Sequence, residues 1–338
     1  MGSAHETPKI SDDLFSTRQD YAEALNRPRE QACPFFSEAL EENSPEPTVW
    51  QDDFIRFWKN PVKAWLQQTL GWREPYRDEA WESAEPFEPQ RADKIAAAYL
   101  DARRRNQDFQ ETAVRLDAES LLPAGELGKL WQQNFQAAAK RIDSELLQSP
   151  KLPPFAYEIP FDGQTLQGSL GNLYQCGQVF YLDRKPNAPQ RIAILLEHLI
   201  FCAVGSSETE TRQTHIVKPE ETTLYPEISG SQAQEMLQKW LTFFNLGQTR
   251  PLPFFAKTSL AAAEAYGKKQ SWEDALNKAR ESYHGNKVSK GQKDYTEVAL
   301  VFGNEDTEPV EGALFQRLVE ELLIPLLDAV KEESSDAA

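Results

Sequence analysis

The chain is short of the residues that most enzymes of nucleotide and metal chemistry advertise. Among 338 residues there are three cysteines and four histidines. Cys33, Cys176 and Cys202 are odd in number and far apart, and no pair has metal-ligand spacing. This excludes a disulfide framework and a zinc-ribbon site, and it fits a reducing compartment. No apolar run reaches membrane-spanning length, and the polar start, Met1 to Pro8, predicts no secretory leader. The expected location is cytoplasmic, with no membrane partner. There is no Walker A run and no Gly-x-Gly-x-x-Gly, so no ATP site or motor is expected and no cofactor is predicted. Positive charge is scarce too: 36 Lys and Arg face 53 Asp and Glu, for a net charge of −17. A domain gripping duplex DNA over a broad face is usually basic, because affinity comes largely from neutralising phosphates. Nucleic-acid contact by this chain must therefore be local or carried by a partner.

What is present is a globular balance, 40% hydrophobic and 26% charged. The most organised stretch runs from Tyr157 to Gly205. Tyr157–Phe161 and Thr165–Tyr174 alternate around Asp162-Gly163, a hairpin turn pair. Gln178–Asp183 reads as a third strand. Arg191–Val204 is apolar nearly all round, which marks a core helix, and Gly205 is a natural stop. Arg212–Lys218 alternates as a fourth strand, and Thr222–Tyr225 can pair briefly. Pro186 and Pro189 bar regular structure before the helix.

Helical spacing dominates elsewhere. Asp52–Trp58 carries Phe54, Phe57 and Trp58 on one face. Asn60 can cap and Pro61 can start the next helix, which ends at Gly71. Arg91–Asp108, Glu126–Leu147, Ser231–Phe244 with Gly247 as its stop, Leu260–Tyr266, a helix capped by Ser271, Tyr295–Phe302, and Glu311–Val330 kinked at Pro325 complete the helices. The expected organisation is an extended lead-in over 1–48, a helical part over 49–150, a sheet-and-helix core over 151–333, and an acidic tail over 334–338. Residues 49–333 can also form one domain.

A strand meander followed by a buried helix is the skeleton of the metal-dependent PD-(D/E)XK nuclease fold. The expected class is mixed α/β (α+β): a helix-rich nuclease-like fold with a small central mixed sheet, catalytically degenerate. Such a site needs an Asp on one strand and Asp/Glu-x-Lys on the next, the carboxylates to hold a divalent cation and the Lys to position the attacking water. Asp183-Arg184-Lys185 stands at the end of the third strand. The upstream ligand, expected in a Gly-x-x-Asp run, falls in Gly168-Ser169-Leu170-Gly171, where the ligand position holds glycine. Asp162, with Glu158, can substitute only in a different register. Two readings follow: a nuclease-like fold without catalysis, and an active nuclease using Asp162, Asp183 and Lys185. A third uses Arg103, Arg104 and Arg105 with the loop lysines Lys287, Lys290 and Lys293 as a DNA-binding guide for single strands. His198 beside Glu197 is expected as a buried hydrogen-bonded pair, and His215 as a strand residue.

Several runs go further together. Phe54–Gly71, Glu85-Pro-Phe87, Leu122–Gly125, Leu196–Leu199 with Gly205, Arg250–Lys257, Tyr283–Gly285 and Asp294-Tyr295 resemble, in order and spacing, the C-terminal region of the RecC family, the gamma subunits of exodeoxyribonuclease V. The match covers Gln31 to Leu327. The resemblance implies a nuclease-like domain without catalytic residues, a scaffold in a RecB–RecC–RecD helicase/nuclease that processes double-strand DNA ends in recombinational repair. It implies RecB-like and RecD-like partners, with DNA in the assembled complex. In that family pattern Arg184 to Pro186 lead into the long helix, which makes Asp183-Arg184-Lys185 coincidental.

Overall fold

The computed structural model describes residues 35–331 except 37–38, 41–45, 74–88, 90, 142–146, 183, 207, 219–220, 287–288 and 305–307. Most of the extended lead-in with Cys33, the run Glu85-Pro-Phe87, Asp183, Lys287 and the acidic tail lie outside the described residues. The chain is a mixed α/β structure with many helices and small mixed sheets. Among the described residues no helix is long and apolar enough to cross a membrane.

The chain enters through β1 (Thr48–Trp50) and passes directly into α1 (Gln51–Lys59). Asn60 then separates α1 from α2 (Pro61–Leu70): its side chain accepts the Lys63 backbone N–H at 3.1 Å, and Pro61 takes the first turn, where no donor is needed. Gly71, at φ 60°, ends α2. Three helices follow, α3 (Ala92–Arg104), α4 (Phe109–Ala118) and α5 (Gly125–Arg141). The single helix expected over 91–108 is corrected here. It breaks after Arg104 because Asn106 turns left-handed and the Asp108 carboxylate caps a new helix through the Gln110 N–H at 3.0 Å.

The sheet carries one informative irregularity. β2 (Phe155–Phe161) and β3 (Gln164–Leu170) pair antiparallel across the Asp162-Gly163 turn, and β1 pairs parallel on the other edge of β3. A second ladder orders β4 (Leu173–Tyr174), β5 (Gly177–Tyr181), β6 (Thr214–Val217) and β7 (Thr222–Tyr225). The pairing of β2 with β3 continues without slippage past the break: Leu152 N donates to Leu173 O at 2.9 Å, Lys151 bridges Tyr174, and Gln175 N donates to Pro150 O at 3.0 Å. β3 and β4 are thus one strand, kinked at Gly171-Asn172, where Asn172 lies at φ 55°. The expected single small sheet exists as two ladders sharing that strand.

Between β5 and the parallel strand β6 runs the crossover helix α6 (Ala188–Val204), nearly all of it buried from Ile192 to Ala203. It starts earlier than its apolar run suggests. Asn187 and Gln190 form a capping box, and Pro189 falls within the first turn, where a missing N–H costs nothing. α7 (Gly230–Thr249), α8 (Ala256–Lys269), α9 (Trp272–His284) and the shorter α10 (Thr296–Phe302) follow. The last stretch, expected as one helix kinked at Pro325, consists of α11 (Ala313–Leu318), a π-helical turn over Val319–Leu323 and α12 (Ile324–Ala329). The wide turn lies immediately before the proline, which has no N–H to give and would crowd the carbonyl four residues back.

The main core joins α1, α7 and the segment before α8 through aromatic edges. Trp58 meets Trp240 at 4.6 Å and Phe254 at 5.2 Å, and Phe57 meets Phe244 at 5.0 Å. A separate small core holds Ile95, Tyr99, Leu116, Leu122, Phe135 and Ala139 from α3 to α5.

Gly247 was expected to stop α7 but lies inside it, and the reason is proximity. A Cβ there would stand 2.3 Å from the Phe57 ring and 3.1 Å from Leu252 Cδ1. Gly267 in α8 has no such neighbour, its nearest being Lys331 Nζ at 3.4 Å. Urea unfolding should therefore show Gly247→Ala destabilising by roughly 1–2 kcal/mol, overpacking outweighing the gain in helix propensity. Gly267→Ala should leave stability unchanged or raise it by up to about 1 kcal/mol. Equal effects from the two substitutions would contradict this packing.

Candidate functional site

The kink is where a metal-dependent nuclease of the expected pattern would place its first ligand. Gly171 supplies no side chain, and a Cβ added to it would meet nothing within 4 Å. Its carbonyl accepts from the Gln178 side-chain amide at 3.4 Å. Gln178 is fully buried, and its amide oxygen accepts the Thr214 hydroxyl at 3.2 Å. The Thr214 oxygen lies 2.8 Å from Nδ1 of His198, and Cys202 Sγ lies 3.6 Å from its Nε2. The Cys202 thiol donates to the Arg212 carbonyl at 3.4 Å and accepts the Ile228 N–H at 3.5 Å. A continuous buried polar chain thus runs from α6 across β6 and β5 to the kinked strand. Buried polar groups cost free energy unless paired, so each member fixes the next.

The chemistry of this chain is closed. Burial pushes His198 down to about 4, outweighing a backbone hydrogen bond with Pro226, so the imidazole is neutral. Burial likewise pushes the Cys202 thiol up to about 11, away from the thiolate that nucleophilic chemistry needs. His198 does not pair with Glu197, as had been expected. Successive residues on a helix point about 100° apart, and Glu197 is directed elsewhere, into the field of Asp52 and Lys59 of α1.

Glu197 is the residue that sequence reasoning undervalued. Its signal was visible: a lone carboxylate in an otherwise apolar helix. Burial pushes it up to about 7, with Lys59 pulling it down and Asp52 adding to the rise. Tyr157 of β2 feels the same burial and the Glu197 charge, and its hydroxyl is held well above its ordinary range. Gly168 lets these groups crowd together, since a Cβ there would lie 2.5 Å from Gln51 Cβ and 3.2 Å from the Tyr157 hydroxyl.

The residues proposed for metal chemistry are not gathered at the kink. Asp162 is exposed at the β2–β3 turn and borders a shallow cavity with Glu235, Gln238 and Lys239 of α7. Lys185 is exposed beyond β5 and borders a different cavity, near Arg191 and Lys218. Glu158 is exposed on β2 opposite Gln167. Among the described residues no three His, Cys, Asp or Glu side chains come together as a metal-ligand set.

The proposed DNA-binding arginines point different ways at the end of α3. Arg103 borders a small cavity with Lys140. Arg104 donates to the Leu147 carbonyl at 3.1 Å and lies over the Tyr174 ring at 5.3 Å. Arg105 pairs with Asp101 at 3.1 Å. Of the loop lysines, Lys290 lies 4.8 Å from the centre of the Tyr295 ring, and Lys293 is exposed on a 3-10 turn, Gln292–Asp294.

Comparison with known proteins gives a consistent result. A family model for the RecC C-terminal domain matches residues 46–267, more than half of the chain. The RecBCD enzyme subunit RecC of Escherichia coli (strain K12) is 23% identical over 332 residues, covering 94% of this chain and 28% of the relative. The RecBCD enzyme subunit RecC of Buchnera aphidicola subsp. Schizaphis graminum is 25% identical over 256 residues, covering 71% of this chain and 23% of the relative. The chain spans about a quarter of the length of these curated relatives.

The neighbours Glu197 and His198 have opposite pH signatures. His198, with a lowered pKa, contributes stability that is full above about 6.5 and is lost as pH falls toward 4. Glu197, with a raised pKa, contributes stability that is full below 4.5 and is lost as pH rises through 7. Glu197→Gln should therefore gain on the native chain by roughly 2 kcal/mol between pH 5 and pH 8 in denaturant titrations. A difference between the two proteins that does not change with pH would remove Glu197 from this role.

Proposed function

The chain belongs to the family of RecC C-terminal domains, and on that premise we propose that it is a non-catalytic scaffold and partner-docking domain. It would act in the gamma subunit of a RecBCD-type helicase/nuclease working on double-strand DNA ends in recombinational repair. The observation that carries the reading is Gly171. On the nuclease-like reading, the strand meander β2 to β5, the crossover helix α6 and the parallel strand β6 would be the counterparts of the PD-(D/E)XK core. The strand that would bear the first metal ligand bends at a glycine instead. The carbonyl of that glycine is engaged by the buried amide of Gln178, whose oxygen in turn accepts the Thr214 hydroxyl.

The proposed partners are RecB-like and RecD-like subunits, with DNA in the assembled complex. The surface offers apolar side chains for docking. Trp50, 56% exposed, and Leu40, 42% exposed, border a groove of about 480 Å³ floored by Phe244 and edged by Gln164, Asn245 and Gln248. Half-exposed tryptophan beside polar hydrogen-bonding groups is the composition of an interface anchor.

Two measurements test the reading. Incubated with linear single- and double-stranded DNA and Mg²⁺ or Mn²⁺, the native chain and Lys185→Ala should behave alike, without cleavage attributable to the domain. Cleavage that disappears in Lys185→Ala would establish the competing nuclease built on Asp162, Asp183 and Lys185. In sedimentation, the native chain should co-migrate with its cognate RecB-like or RecD-like subunit, and Trp50→Ala should weaken that association about tenfold or more. Absence of co-migration with either subunit defeats the docking proposal.

A further inference from the structure

In a protein with a net charge of −17, one cavity is locally basic. It has a volume of about 500 Å³ and lies beyond the carboxyl ends of the parallel strands β5 and β6, beside the start of the crossover helix α6. That is the crevice in which open α/β sheets commonly hold ligands. Its walls bring together Lys185, Arg191, Lys218, Lys268 and Lys331, against the carboxylates of Glu221, Glu264 and Asp328.

The pairing inside the cavity decides what it can bind. Arg191 is paired with Glu264, Lys331 with Asp328, and Lys218 with Glu221. That accounts for every carboxylate bordering the cavity. Lys185 and Lys268, both exposed, form no ion pair among the described residues, and Lys185 acts on the Glu221 carboxylate only at longer range. Lys218 has a further capacity. Its side chain is only 9% exposed, and its ammonium donates to Glu221 at 2.6 Å and to the Thr223 hydroxyl at 2.8 Å. An ammonium has three donors, and the third has no acceptor among the described residues. A buried ammonium with a spare donor, flanked by two free lysines, forms a built site for an anion.

We propose that this cavity binds a phosphate group, with Lys218 as its buried anchor and Lys185 and Lys268 closing over it. Ammonium donors converging from several elements favour the three outer oxygens of a phosphate over a single carboxylate. The planar fork of arginine fits carboxylate and phosphate alike, and the one arginine here is already engaged by Glu264. The free cations are all lysines, point charges suited to a tetrahedral dianion approached from several sides. The site is separate from the arginines of α3 and from the Lys290 loop, and it does not depend on the docking role.

The test uses the full chain and fluorescence anisotropy with labelled oligothymidylate, with and without a 5′-phosphate, and competition by inorganic pyrophosphate. The expected result is saturable, salt-sensitive binding that pyrophosphate displaces and that falls about tenfold or more in Lys185→Gln/Lys268→Gln. Lys290→Gln/Lys293→Gln should bind as the native chain does. The exposed lysines can be changed without touching the core, and circular dichroism checks that each variant is folded. Displacement of labelled pyrophosphate by unlabelled pyrophosphate, without oligonucleotide binding, would support the phosphate site and assign it to a small molecule. Native-like binding by Lys185→Gln/Lys268→Gln would overturn the proposal. So would an oligoglutamate peptide that competes as well as pyrophosphate, which would make the cavity a contact for acidic protein instead.

Discussion

A helix without a polar face has to be enclosed on every side, and that requirement governs this structure. From Ile192 to Ala203, α6 offers almost nothing to water. The sheet covers one side, and α1, α7 and α8 pack against the others. Its ends are completed by polar chemistry. Asn187 and Gln190 cap the entry, and at the exit the Arg212 guanidinium donates to the Cys202 carbonyl at 2.9 Å. Gly205 makes that possible, since a Cβ at this left-handed position would stand 2.5 Å from the guanidinium. The two polar side chains inside the apolar span, Glu197 and His198, then need surroundings of their own. The shape of those surroundings gives β5, β6 and the kinked strand their fixed relation.

This explains why a position that lacks a ligand can still be tightly specified. Under the proposed reading, the bend at Gly171 has no ion to organise it. Gln178, Thr214 and His198 organise it instead, each satisfied only while the others remain in place. A half-satisfied buried network is costly, so such a chain holds its geometry as firmly as apolar packing does.

Much of the fold was legible because its signals are local. Asn60-Pro61, Gly71, Ser271 and the Asp162-Gly163 turn act through their own backbone, and each stands where its chemistry places it. The apolar run of α6 was legible for the same reason. What escaped depended on neighbours remote in sequence. Gly247 looks like a stop until Phe57 is seen against it. The parallel pairing of β1 with β3 joins residues more than a hundred apart in the chain and leaves no periodic mark. At the site, the glycine at position 171 was plain in the sequence. The hydrogen-bond chain behind it, and the convergence of Lys185, Lys218 and Lys268 from three separate elements, arise only from tertiary packing.

The small core of α3 to α5 is built from its own side chains, Ile95, Tyr99, Leu116 and Phe135 among them. Among the described residues it meets the sheet side through Leu100 against Tyr174, Val179 and Val217, Arg104 over the Tyr174 ring, and Trp131 under Arg184 beyond β5. Among the described residues that seam is smaller than the main core. In mechanical terms the three helices form a shoulder with a core of its own, set against the main core. A pull on the three helices would load the Tyr174 seam and the Arg184–Trp131 contact together, and the second of these lies one residue from Lys185 at the cavity beyond β5 and β6.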